Sequence, residues 1–144
     1  MAEKTEKTEK NKENQMREIL VSLKYLESQM AAAQGQLQMM ERGLIEIGTT
    51  KNSLESIKEL KKDVSSLYPL GSGMFAKGTL AKQDRLLVDV GAGAIIEKDI
   101  ADAEKILQSR EADLRANIGN YQGMLANLEK QYNDLAEKAR SLTG

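Results

Sequence analysis

Apolar residues recur at alternating steps of three and four positions through the first third of the chain. This series begins at Met16 and continues without a break to Ile47. Apolar residues with that spacing form the seam along which two helices pack in a coiled coil. The pattern therefore predicts a long amphipathic helix.

The same stripe continues beyond Ile47 in a modified form. Lys51 occupies the next seam position and Leu54 the one after, and the apolar positions from Ile57 to Val64 follow with their register shifted by one residue. Because the residue before a proline disfavours the helical conformation, the helix should end before Pro69. We predict a first coiled-coil helix over residues 15–66.

A second seam fills the end of the chain. From Leu114 to Leu142 the apolar positions alternate in steps of four and three. Asp99 and Asp102 supply an N-cap and an acidic first turn. These features predict a second coiled-coil helix over residues 99–144.

Residues 67–98 between the seams contain two similar halves. "LYPLGSGMFAKG" and "LLVDVGAGAIIEK" each place a Gly-X-Gly between two apolar runs, which predicts two β-hairpins. The turn glycines are Gly71, Gly73, Gly91 and Gly93. In an alternative pairing, 81–84 forms the turn between 74–80 and 85–90.

The predicted fold is mostly α with a small β region. Two seams of similar length fit a long antiparallel two-helix coiled coil whose helices are joined by the hairpins. In another arrangement, each helix pairs with a helix of a second chain.

The predicted hairpins carry more apolar residues than two small hairpins can bury. Isolated hairpins are marginal in water and leave their strand edges unpaired. We therefore expect the hairpins of several chains to form a multi-subunit β-barrel. The predicted assembly residues are Leu70, Met74, Phe75, Leu86, Val88, Val90, Ile95 and Ile96.

Charge and composition narrow the possible functions. Residues 1–14 balance Glu against Lys and have no large apolar residue after Met1, which predicts a disordered N-terminal arm. The chain lacks Cys and His, which removes thiol chemistry, most zinc sites and most general-base schemes. We predict no enzyme, no catalytic or metal site and no cofactor.

Two further observations concern partners and location. The net charge is −1, without a basic block, which argues against nucleic-acid binding. No apolar run reaches the length of a membrane span, and the N-terminus has no apolar signal region. We expect a cytoplasmic protein.

The Gly-X-Gly motifs do not have the pattern of a phosphate loop. A dinucleotide fingerprint needs a third glycine that opens a helix. Ala76 and Ile96 occupy those third positions. Turn geometry explains the glycines instead.

The segment "PLGSGMFAKGTLAKQDRLLVDVGAGAIIEKDIADAEKIL" resembles the core of α-type subunits of archaeal prefoldin. The matching features are PLG-x-G-x-F, G-x-L, V-D-V-G-A-G and E-K, followed by a capped helix. The flanking helices match that family by pattern.

The resemblance implies a molecular chaperone that works without ATP. It implies a hexamer of two α-type and four β-type subunits that captures unfolded proteins at its coiled-coil tips and passes them to a group II chaperonin. The candidate client-binding residues near the termini are Met16, Ile19, Leu20, Val21, Leu23, Leu135 and Leu142. A structural coiled-coil spacer without clients is the alternative.

Overall fold

The computed structural model describes the whole chain, from Met1 to Gly144. Two long helices enclose a small β region in the sequence. The elements are α1 (Ala2–Lys58), β1 (Val64–Gly71), β2 (Met74–Leu80), β3 (Arg85–Asp89), β4 (Ile95–Asp99) and α2 (Ile100–Thr143). The predicted, mostly helical fold with two hairpins is confirmed.

The chain divides into two compact units. Unit 1 contains residues 1–42 and 115–144, and unit 2 contains residues 43–114. Unit 1 is therefore built from the N-terminal part of α1 and the C-terminal part of α2. Unit 2 contains the remaining helical segments and all four strands.

Unit 1 is held together by the two seams. On α1 the most buried seam residues are Ile19, Leu26, Ala33 and Leu37, and on α2 Ile118 is 9% exposed. The Tyr132 hydroxyl of α2 also donates a hydrogen bond of 3.0 Å to Glu27 Oε1 of α1. The helices that pair are therefore those of a single chain.

The N-terminal segment differs from the predicted disordered arm. Helix α1 begins at Ala2, so residues 2–14 are helical although all of them are exposed. Favourable Glu-to-Lys spacings of four, such as Glu3 to Lys7, support a helix without burial. Charge spacing here outweighs the lack of apolar residues on which the prediction of disorder rested.

Unit 2 has a small core between its helices and the second hairpin. Leu54 of α1 packs with Ala103 and Leu107 of α2, and Leu86 and Val88 of β3 cover this cluster. Leu86 and Val88 are partly buried, so each contributes a share of the roughly 1.5–3 kcal/mol that full burial of a Leu or Val side chain provides, and this stabilises the hairpin on its own helices.

Two ion pairs lie beside this core. Lys51, at its predicted seam position, pairs with Glu111 of α2. One heptad further along α1, Lys58 Nζ lies 3.4 Å from Glu104 Oε1. In each pair the cation belongs to α1 and the carboxylate to α2.

Helix α1 ends earlier than the predicted residue 66. Its last residue is Lys58, and Val64 already pairs with Leu80 as the first residue of β1. The Asp63 carboxylate accepts a hydrogen bond of 2.8 Å from the Lys82 amide. Pairing with β2 therefore extends the first hairpin back to residue 64 and prevents the helix from continuing.

The strands pair within two separate hairpins. Strand β1 pairs antiparallel with β2, and β3 with β4. The alternative pairing of β2 with β3 does not occur. Each hairpin is an open two-stranded sheet, so this chain alone contains no closed barrel.

No helix in the structure is both long and apolar enough to cross a membrane.

Candidate functional site

Both hairpin turns require positive backbone φ angles. Ser72 and Gly73 have φ values of 51° and 78°, and Ala92 and Gly93 have values of 54° and 76°. Two successive central residues with positive φ are the geometry of type I′ turns, which match the twist of the flanking strands. The glycines thus serve the turns, as predicted from the sequence.

Asp89 stabilises the second turn through two hydrogen bonds. Its carboxylate accepts a hydrogen bond of 2.9 Å from the Gly91 amide, and its carbonyl accepts one of 2.5 Å from Arg110 Nη2 on α2. This role of Asp89 was not predicted from the sequence. An Asp two residues before a glycine is a known turn signal that could have indicated it.

Strand β3 presents two different faces. Leu86 and Val88 turn towards the core of unit 2, whereas Leu87 is 75% exposed. Two residues assigned to assembly between chains are therefore already half-buried within this chain. Their packing against Leu54, Ala103 and Leu107 accounts for their apolar character.

The other predicted assembly residues are openly exposed. The set comprises Leu70, Met74, Phe75, Val90, Ile95 and Ile96, with exposures from 43% to 71%. Leu67, Tyr68 and Leu87 of the hairpins are exposed as well. We call these nine side chains the hairpin surface. Large apolar side chains exposed in such number on two small hairpins are typical of protein interfaces.

Further exposed apolar residues lie on α1 in unit 1. Leu20, Val21 and Tyr25 are 51%, 68% and 64% exposed. Val21 and Tyr25 are four residues apart, so they are neighbours on the helix surface. We call these three residues the tip patch.

The remaining candidate client-binding residues belong to the seam. Ile19 is 5% exposed, and the other four are half-buried: Met16, Leu23, Leu135 and Leu142. Of the seven candidates, the structure places Leu20 and Val21 where another protein could contact them without separating the helices.

The proton affinity of the Tyr132 hydroxyl departs clearly from its ordinary value. The hydrogen bond to Glu27, together with the negative charge of that carboxylate, raises the pKa of the Tyr132 hydroxyl. Loss of the proton would place two negative charges side by side.

Comparison with known proteins agrees with this architecture. Residues 26–144 match the family model described as prefoldin subunit. The chain is 28% identical over 129 residues to prefoldin subunit alpha of Pyrococcus horikoshii, covering 89% of this chain and 87% of that protein. It is 26% identical to prefoldin subunit alpha of Thermoplasma acidophilum, covering 81% of this chain and 89% of that protein.

A solved structure shows the same fold. A chain of filamentous PFD from Methanocaldococcus jannaschii, determined by cryo-EM, superimposes with a TM-score of 0.70 and 19% identity, covering 85% of this chain and 98% of that one. Because the family model spans most of the sequence and both hairpins and helices are present, the chain belongs to the prefoldin family of molecular chaperones.

Proposed function

We propose that this chain is an α-type subunit of an ATP-independent holdase in the cytoplasm. It joins β-type subunits through its hairpin surface, in a hexamer of two α-type and four β-type subunits. The coiled-coil tips capture unfolded proteins, which then pass to a group II chaperonin.

The observation that carries this proposal is the tip patch. Leu20, Val21 and Tyr25 are exposed on a helix whose seam residues, such as Ile19 and Leu26, are buried. The exposed part of such a side chain is not used in pairing of the two helices, and it suits weak contacts with exposed apolar segments of unfolded proteins.

Weak contacts become effective when several arms act together. Tethering several patches to one assembled body raises the effective concentration of each patch around a bound client. Each patch can therefore release one segment of the client while the other patches hold the rest of the client, and no nucleotide is required.

The hairpin surface supports the assembly step of the proposal. Phe75 and Ile95 are 59% and 64% exposed on separate two-stranded sheets with unpaired edges. Pairing of these edges with strands of other subunits would satisfy backbone groups and bury the apolar side chains.

The test of client capture replaces the tip patch by Leu20→Ser, Val21→Ser and Tyr25→Ser in the assembled oligomer. The β-type partners carry shortened tips, so that this chain supplies the remaining capture surface. Light scattering of a diluted, denatured client then measures protection, and we expect the triple variant to lose most of it.

A matched control places equivalent changes elsewhere. Met39, Ile45 and Met124 are 64%, 71% and 50% exposed, so Met39→Ser, Ile45→Ser and Met124→Ser together remove similar apolar surface outside the tip patch. The control should protect as well as the unchanged oligomer. Full protection by an intact tip variant would refute capture by this patch, and no protection by the unchanged oligomer would favour the spacer function.

A further inference from the structure

Two windows of equal length in unit 1 contain no charged residue. They are residues 28–40 of α1 and residues 116–128 of α2. Asp, Glu, Lys and Arg make up 30% of the whole chain, so the windows depart strongly from the rest of both helices. We call the two windows together the neutral belt.

The pairing of the helices places the two windows side by side. Tyr132 is hydrogen-bonded to Glu27 at one end of the belt. Beyond its other end, Leu114 lies against Gly43, where an added Cβ would be 3.0 Å from its Cδ2. In an antiparallel pair, residues 28–40 therefore run alongside 116–128, over about 20 Å of helix.

Three glycines lie within the neutral belt. Gly35 belongs to α1, and Gly119 and Gly123 belong to α2. By the same register, Gly35 and Gly123 lie at nearly the same height. A Cβ added at any of the three would meet nothing within 4 Å, so packing does not require glycine at these positions.

Glycine within a helix lowers local stability. It costs about 1 kcal/mol relative to Ala because the unfolded backbone has more freedom to lose. The belt also lacks oppositely charged pairs at spacings of three or four, which stabilise helices elsewhere. Within the belt, the seam holds the helices together through Ala33, Leu37 and Ile118, and the first of these buried residues is small.

We propose that the neutral belt is a built-in bending point of the coiled coil. Its two helical segments open locally, below the free energy of global unfolding, and let the segment nearer the termini change direction. Sharp bends in helices have identifiable local causes. The free energy of local opening varies along a native protein, from near zero up to the free energy of global unfolding. This inference concerns motion and stands independently of the proposed client capture.

Hydrogen exchange of the assembled protein tests the local opening. In the unchanged protein, amides of 28–40 and 116–128 should exchange faster than those of 44–57. The triple variant Gly35→Ala, Gly119→Ala and Gly123→Ala should slow exchange in the belt about fivefold per glycine removed from the opening segment, the factor that ~1 kcal/mol of helix propensity represents.

Gly48→Ala is the matched control. Gly48 is also a helix glycine with nothing within 4 Å of an added Cβ, but it lies outside the belt. Its replacement should slow exchange around residue 48 and leave the belt unchanged. Equal protection of belt and 44–57 in the unchanged protein, or an equal response of the belt to both variants, would overturn the proposal.

Distances between spin labels test the bending itself. The chain contains no cysteine, so Ser22→Cys and Arg42→Cys place labels at either end of the belt window of α1. A straight helix separates these positions by about 30 Å. We expect a broad distance distribution that the triple glycine variant narrows and Gly48→Ala does not. A distribution that is already narrow without substitutions would contradict bending here.

Discussion

Reversing the charge of Lys51 should destabilise the helix pair of unit 2, and reversing Glu111 as well should restore most of the loss. Lys51 pairs with Glu111 across the seam. Lys51→Glu replaces this attraction with repulsion between two carboxylates. Lys51→Glu with Glu111→Lys rebuilds the pair in the opposite direction.

The magnitude follows from the exposure of the two side chains. Lys51 is 40% exposed and Glu111 22%, so the pair lies between a solvated surface pair, worth 0.2–1 kcal/mol, and a buried pair, whose disruption costs about 3–5 kcal/mol. We take about 1.5 kcal/mol for the lost attraction and a similar amount for the new repulsion. The single reversal should then cost about 3 kcal/mol.

Thermal unfolding followed by the helical circular dichroism signal measures this cost. For a chain of 144 residues, 1 kcal/mol corresponds to a Tm shift of roughly 2–4 °C, so Lys51→Glu should lower Tm by roughly 6–12 °C. Because salt screens partly exposed charges, the shift should be smaller in high salt.

The second ion pair provides a matched control. Lys58 and Glu104 are 56% and 30% exposed, so water screens this pair more strongly. Lys58→Glu should lower Tm by less than Lys51→Glu. A double variant, Lys51→Glu with Glu111→Lys, that is no more stable than Lys51→Glu alone would refute a stabilising ion pair at this position.

Three further predictions concern the hairpins and the Tyr132 hydrogen bond. Val90→Asp should block assembly in size-exclusion mass measurements while unit 2 stays folded, because Val90 is 43% exposed; Val88→Asp should also lower Tm, because Val88 packs against the core of its own chain. Gly93→Ala should lower Tm by roughly 2–4 °C, since Gly93 has a φ of 76° that costs a residue with a Cβ about 1 kcal/mol, and added nucleotide should not raise the Tm of either protein. The folded-state pKa of Tyr132 is raised above its ordinary value of 10.0, so the contribution of its hydrogen bond to stability is complete below pH 10 and is lost as pH rises through the raised pKa. Melting of unit 1 as a function of pH should show this loss, and Tyr132→Phe should abolish it.

The helical architecture could be predicted from residue spacing because a coiled coil is a repetitive structure. The step between Met16 and Ile19 is repeated along α1, and each repeat buries the same side of the helix. The glycine turns were predictable for a similar local reason. Residues such as Gly93 adopt positive φ at little cost, whatever surrounds them.

The sequence only partly distinguished exposed from buried residues among the client-binding candidates. Leu20 and Ile19 are adjacent aliphatic residues, yet one is 51% exposed and the other 5%. Helix periodicity distinguishes them in principle. Their capacity to contact a client depends on which surfaces the paired helix covers, and that is a property of the tertiary structure.

The two helices, the two hairpins and the character of their turns could be predicted from the sequence, since these depend on periodicity and on conformational preferences within a few residues. The fold set the end of α1, because Val64 pairs with Leu80, sixteen positions away. It also decided that Leu86 and Val88 pack against their own helices, while Leu87 between them is exposed. Alternation along a strand shows that two faces differ, but which face is buried depends on residues that are distant in sequence and become neighbours only in the fold.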